Sequence, residues 1–78
     1  MKKIYSRMFN VWLLHKRDKW VELLLCSKEG EAILIVNVDL DNAIVFSYIT
    51  CREYCYGNRD YYSDHINKAI EVLKNEKR

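Results

Sequence analysis

Cys26, Cys51, Cys55 and His65 are the residues of this chain whose types and spacing most resemble a metal-binding set. Three residues separate Cys51 from Cys55, and nine more precede His65. With Cys26 they make a Cys3His set, which is a zinc donor set of thiolates and one imidazole. The pattern lacks a paired second half and the glycine-bearing knuckle of small zinc modules. The plainer reading is that the cysteines are small apolar side chains and the histidine lies on the surface. No metal and no cofactor are therefore expected. A Cys51–Cys55 disulfide would depend on Cα spacing, which sequence does not supply.

Nucleophilic chemistry has less to stand on. Cys55 and His65 could form a thiol–imidazole pair, but no oxyanion-donor motif or third orienting group accompanies them. No glycine-rich phosphate loop is present. Glu22 is the one acid expected near the middle of a sheet, and no second carboxylate joins it for acid–base work. The reading is that the chain is not an enzyme.

Cations mixed with aromatics are the third chemical signal. Arg7, His15, Lys16, Arg17 and Lys19 precede Trp20, while Arg52, Arg59, Tyr54, Tyr56, Tyr61 and Tyr62 crowd one later stretch. Such a mixture can hold phosphates and stack on bases. A small nucleic-acid-binding protein using Arg7, Lys16, Arg17, Lys19, Arg52, Arg59 and Tyr61 is thus the alternative function. The net charge is only +2. Residues 1–28 hold seven Lys/Arg against two acids, and residues 29–50 hold four acids and no base. That balance suits neither a strongly basic binder nor an acidic nucleic-acid mimic.

These groups must be positioned by a single small domain, since the chain has 78 residues and a lone core of that size is marginal. Half the residues are apolar, which excludes a disordered chain. No apolar run reaches membrane-spanning length, and the basic start lacks a signal-peptide cleavage site. Three cysteines are an odd count, which argues against a secreted disulfide framework and for the cytoplasm. Lys, Ile, Asn and Tyr supply 27 residues, and proline is absent. That bias fits an AT-rich genome, such as a low-GC bacterium or its viruses and plasmids.

Polar clusters at Lys16–Lys19, Lys28–Glu31 and Asp39–Asn42 recur at hairpin spacing. Between them run β-branched and aromatic stretches, Met8 to Leu14, Trp20 to Cys26, Ile33 to Val38 and Ile44 to Cys51. These predict four antiparallel strands. After Gly57 the period becomes helical, and Tyr62, Ile66, Ala69, Ile70 and Leu73 form one stripe. Asn58 or Asp60 can cap the helix start. The expected fold is α+β, a four-stranded antiparallel meander with one C-terminal helix on one face. An N-terminal helix through residues 3–16, giving αβββα, is the alternative.

Alternation assigns faces. Phe9, Val11 and Leu13 match Val21, Leu23 and Leu25, then Leu34, Val36 and Val38, then Ile44, Phe46 and Tyr48. Joining these sets calls for a two-residue loop at Glu29-Gly30 and a three-residue loop at Leu40–Asn42. The single helix can cover that face alone. The other would present Met8, Trp12, Trp20, Leu24, Ile35, Val45 and Ile49 around Asn10, Glu22, Asn37 and Ser47. Met8, Trp12, Trp20, Glu22, Leu24, Ile35, Asn37, Val45 and Ile49 are the candidate protein-interface residues, because soluble monomers rarely leave so large an apolar patch uncovered. The expected function is a non-catalytic protein-binding module, a small phage, viral or mobile-element accessory or inhibitor protein that docks on a host or defence protein. The partner's identity is not written in the residues, and a homodimer is the default way to hide such a face.

Overall fold

The computed structural model describes residues 1–51 and 60–76, with the side chains of Asp60 and Tyr61 left aside. Among the described residues five strands precede one helix: β1 (Lys2–Ser6), β2 (Asn10–Lys16), β3 (Trp20–Cys26), β4 (Ala32–Asp39), β5 (Ile44–Thr50) and α1 (Asp60–Glu76). The strands form one antiparallel sheet in the order β1-β2-β3-β4-β5. The α+β class and the C-terminal helix agree with the sequence reading. The four-strand count does not, and neither does the alternative N-terminal helix.

The additional strand is β1. Ile4 and Tyr5 lie among lysines and serine in KKIYS, so the segment has little apolar alternation of its own. A bulge between Lys3 and Tyr5 turns Ile4 inward, where it is buried. Met8 and Phe9, expected to open the first strand, instead belong to the β1–β2 turn, closed by the Arg7 N–H donating to the Phe9 carbonyl at 2.9 Å. Lysines at a short edge strand are the usual guard against edge-to-edge pairing.

The helix stripe is buried in full: Tyr62, Ile66, Ala69, Ile70 and Leu73 are all 3% exposed or less. They pack over β1 and β2 and join one core with Val11, Val21, Leu23, Leu25, Leu34, Val36 and Val38. Burying Ile66, Ile70 and Leu73 contributes about 1.5–3 kcal/mol each. Lys74 in the last turn opposes the negative end of the helix dipole. The capping role expected of Asn58 or Asp60 lies outside the described residues and side chains. No helix among the described residues is long and apolar enough to cross a membrane.

Loop length decided which face the last strand shows. Glu29-Gly30 is not a two-residue loop. Ser27 N–H donates to the Glu31 carbonyl at 2.9 Å, so Lys28, Glu29 and Gly30 form the loop. Gly30 takes the left-handed position at φ 93°. A register shift next to Cys26 then restores the face, with Leu25 opposite Leu34. The β4–β5 loop has four residues, since Asp39 pairs with Ile44. Its left-handed residue is Ala43, at φ 56°, rather than Asn42. One extra residue exchanges the faces of the next strand. Ile44 therefore points away from the helix and is exposed, while Val45 pairs with Val38 and packs on the core. A bulge at Phe46 resets the parity, so Ser47 faces Asn37 and Tyr48 faces Val36.

These two left-handed positions make opposite predictions. A Cβ at Gly30 would meet nothing within 4 Å, so Gly30→Ala tests backbone cost alone. It is expected to lose about 1 kcal/mol, the left-handed penalty less the entropy gained from a stiffer unfolded chain. Ala43→Gly relieves the same penalty and is expected to be neutral or stabilising by a few tenths of a kcal/mol. Urea midpoints of both variants check the pair.

Candidate functional site

The sheet surface away from α1 is built in rows that the register defines. Lys3, Trp12, Leu24, Ile35 and Ile49 lie side by side across all five strands. The next row is polar and runs His15, Glu22, Asn37 and Ser47. Beyond it Trp20, Asp39 and Ile44 align. Trp12, Leu24 and Ile35 are half-buried, and Ile49 is 51% exposed. No described element lies across them.

Each end of this surface is locally braced. At one end the Trp12 indole N–H donates to Cys26 Sγ at 3.1 Å, and Lys3 Nζ stands 5.6 Å from the ring centroid, within cation–π range. Lys28 Nζ donates to Ser6 Oγ at 2.6 Å, and the Ser6 hydroxyl donates to Asn10 Oδ1 at 2.7 Å. At the other end Trp20 and Phe46 meet edge to face, with centroids 6.2 Å apart. Those two rings line an open hollow with Lys19, Asp39, Asp41 and Ile44. Two rings at right angles and a partly wet rim are an interface composition.

Asp39 organises the loop behind that hollow. Its Oδ2 accepts from Asn42 Nδ2 at 3.0 Å, and its Oδ1 accepts from the Asp41 and Asn42 N–H groups at 3.0 and 3.4 Å. The Asn42 amide is the largest influence and holds the carboxyl below its usual 3.8; desolvation, next in size, opposes it, and the Asn42 and Asp41 N–H groups and the Lys19 charge add to the lowering. A depressed folded value means that this contribution is complete above the ordinary carboxylate range and vanishes as pH falls through the folded value. The urea midpoint of the wild type is therefore expected to exceed that of Asp39→Ala at neutral pH, and the gap to close in acid.

In the polar row, His15 Nε2 lies 3.8 Å from Glu22 Oε1. Asn37 Oδ1 is shielded from solvent and has no hydrogen-bond partner among the described residues. A buried acceptor without a donor is uncommon in folded proteins.

Of the nine candidate interface residues, Trp12, Trp20, Glu22, Leu24, Ile35, Asn37 and Ile49 share this surface. Two do not. Val45 is on the helix side, because the four-residue loop exchanged its face. Met8 is exposed in the β1–β2 turn and lines a hollow beside the helix with Arg7, Asp64 and His65. Ile44 and Phe46, expected in the core, replace them at 56% and 58% exposure. The available signal was the Asp39–Asn42 run, whose side chains can brace a longer turn of this kind.

Among the described residues the basic candidates fall into two separate places. Arg7 is in the β1–β2 turn, while Lys16, Arg17 and Lys19 are at the far end of β2. A strand from Asn10 to Lys16 spans about 20 Å. Lys19 also borders the hollow that holds Asp39 and Asp41, which offsets its attraction for phosphate. Arg52 and Arg59 lie outside the described residues, as does the Tyr61 side chain.

Cys26 and Cys51 flank β4 at Ala32 and Ile33, and neither is joined by a described imidazole in a ligand cluster. Cys26 is buried beside Trp12, and Cys51 is an exposed thiol. His65 lies in the helix layer, its ring 5.0 Å from Phe9 and 6.2 Å from Tyr5 by centroid. Cys55 is outside the described residues. Among the described residues no group of three or more His, Cys, Asp or Glu could hold a metal ion. Comparison with protein-family models, curated proteins and solved structures finds no match for this chain.

Proposed function

We propose that the chain is a non-catalytic protein-binding module that docks through the sheet surface opposite α1. The observation that carries this reading is the row Trp12–Leu24–Ile35–Ile49, which no described element covers, ending beside the Trp20–Phe46 corner. Large amphipathic rings next to aliphatic side chains dominate the energetics of protein interfaces. The small size and AT-rich composition fit an accessory or inhibitory protein of a phage, virus or mobile element, acting by occupying a host or defence protein.

The test uses immobilised wild-type chain, Leu24→Glu and Trp20→Ala as baits for extracts of low-GC bacteria. A protein retained by the wild type in stoichiometric amount and lost by both variants supports the reading. Retention unchanged by both variants, each still folded by circular dichroism, removes it. Neutralising Lys16, Arg17 and Lys19 together is expected to leave that retention intact. Loss with this triple variant alone, together with salt-sensitive gel shifts of nucleic acid, would favour the nucleic-acid alternative.

A further inference from the structure

The Trp20–Phe46 corner has a chemistry that the rest of the sheet surface lacks. Its two rings stand at 79° to one another, with centroids 6.2 Å apart. They line a hollow of about 510 Å³ with Lys19, Asp39, Asp41, Asn42 and Ile44. The hollow sits at the Ile44 end of β5, and that strand runs on to Thr50, about 20 Å away. The chain after β5 therefore departs from the opposite end of the sheet.

The residues of this hollow select a cation. The face of an aromatic ring attracts a positive charge within about 6 Å of its centroid, and two rings are present. The Asp41 carboxylate is exposed and makes no hydrogen bond or ion pair among the described residues. Asp39 accepts two hydrogen bonds at Oδ1 and one at Oδ2. An ionised carboxylate has about four acceptor sites, so Asp39 Oδ2 keeps one open. Lys19 is the single cation among the described lining residues, and two carboxylates outweigh its one ammonium. An anion would be repelled there, and an apolar group would strip water from the carboxylates without replacing it.

We propose that this hollow receives an arginine side chain of the protein that docks on the sheet. The inference rests on the docking reading and adds the chemistry of the partner, a basic segment beside an apolar contact. Arginine fits better than lysine. Its guanidinium is planar and weakly hydrated, so it stacks on a ring while its N–H groups donate to a carboxylate. A tethered side chain fits better than a free amine, because the hollow is open to solvent and encloses a small ion poorly. The same surface offers Trp12, Leu24 and Ile35 to the rest of the partner.

Nuclear magnetic resonance titration of the isotope-labelled chain tests the proposal. The probe is a capped Gly-Arg-Gly tripeptide, and its citrulline counterpart is the uncharged control. The arginine tripeptide is expected to bind in the millimolar range. It should move the Trp20 indole signal and the amides of Asp39 to Phe46, while the Trp12 indole signal stays in place. The citrulline tripeptide is expected to bind roughly tenfold more weakly. Asp41→Asn and Phe46→Leu, each checked for folding by circular dichroism, should raise the dissociation constant about two- to fivefold. Lys19→Gln should lower it about twofold. An arginine tripeptide that leaves the Trp20 signal unmoved overturns the proposal. So does citrulline binding equally well, or wild-type affinity in the folded Asp41→Asn/Phe46→Leu double variant. The extract baits separate this site from docking itself. A partner lost by Leu24→Glu and held normally by the double variant overturns the arginine site and leaves docking standing. A tripeptide seated at the corner, with no protein retained by the wild type, supports the cation site and tells against docking alone.

Discussion

Leu23→Glu is expected to unfold the chain, whereas Leu24→Glu, one residue along β3, is expected to leave it folded. Leu23 is fully buried between β2 and β4, opposite Leu13 and Val36. Removing its packing costs about 2–5 kcal/mol by analogy with large-to-small core substitutions. A carboxylate in its place adds a desolvation penalty of several kcal/mol with no described cation near enough to answer it. At about 0.05–0.15 kcal/mol per residue, a chain of 78 residues has roughly 4–12 kcal/mol to lose. Leu24 faces the other way and is half-exposed between Trp12 and Ile35. Glutamate there can keep its charge in water, and its cost is about 1 kcal/mol of strand preference and packing. Far-ultraviolet circular dichroism and urea titration of the two variants separate the outcomes. Equal effects would mean that the two faces of the sheet are equally covered.

Phe9→Ala is expected to cost about 3–5 kcal/mol and to loosen the helix more than β3 and β4. Phe9 is buried in the turn that joins β1 to β2. Its ring meets Tyr62 edge to face at 5.4 Å and His65 at 5.0 Å. Two helix residues thus depend on one side chain from the β1–β2 turn, and each aromatic pair adds about 0.5–1.5 kcal/mol beyond burial. Native-state hydrogen exchange reads the effect: amides from Ile66 to Leu73 should lose protection before those from Val21 to Leu25. Phe9→Leu, which keeps most of the volume, should recover much of the loss. A uniform fall in protection would show that sheet and helix open together.

The uncovered surface was legible in the sequence for its central part and illegible at its margins. Trp12, Leu24, Ile35 and Asn37 sit in stretches of β2, β3 and β4 that pair residue for residue across the β2–β3 and β3–β4 ladders, away from the shifts at Leu13/His15 and Leu25/Cys26. Glu22 followed the same rule, and Ile49 kept its expected face because the Phe46 bulge cancels the extra loop residue. Ile44 and Val45 were exchanged because their face depends on how many residues turn the chain after Asp39. Asp39, Asn42 and the left-handed Ala43 make that number four. Phe46 depends on a bulge, and a bulge leaves no period in the sequence. Met8 was lost to the surface because β1 pulls residues Arg7 to Phe9 into a turn.

By itself, the order of residues determined the α+β class, the three central strands and the buried helix stripe of Tyr62, Ile66, Ala69, Ile70 and Leu73. Those features rest on local periods of two and 3.6, which the side chains carry wherever the chain goes. Only the tertiary structure decided that Lys2–Ser6 is a fifth strand, that α1 lies over β1 and β2, and that β5 shows Ile44 and Phe46 to solvent. KKIYS has no strand signal strong enough to act alone, and it is a strand because β2 offers it an edge and α1 offers Ile4 a core. Relations across loops and bulges depend on residue counts between paired partners, and a local pattern holds no record of those partners.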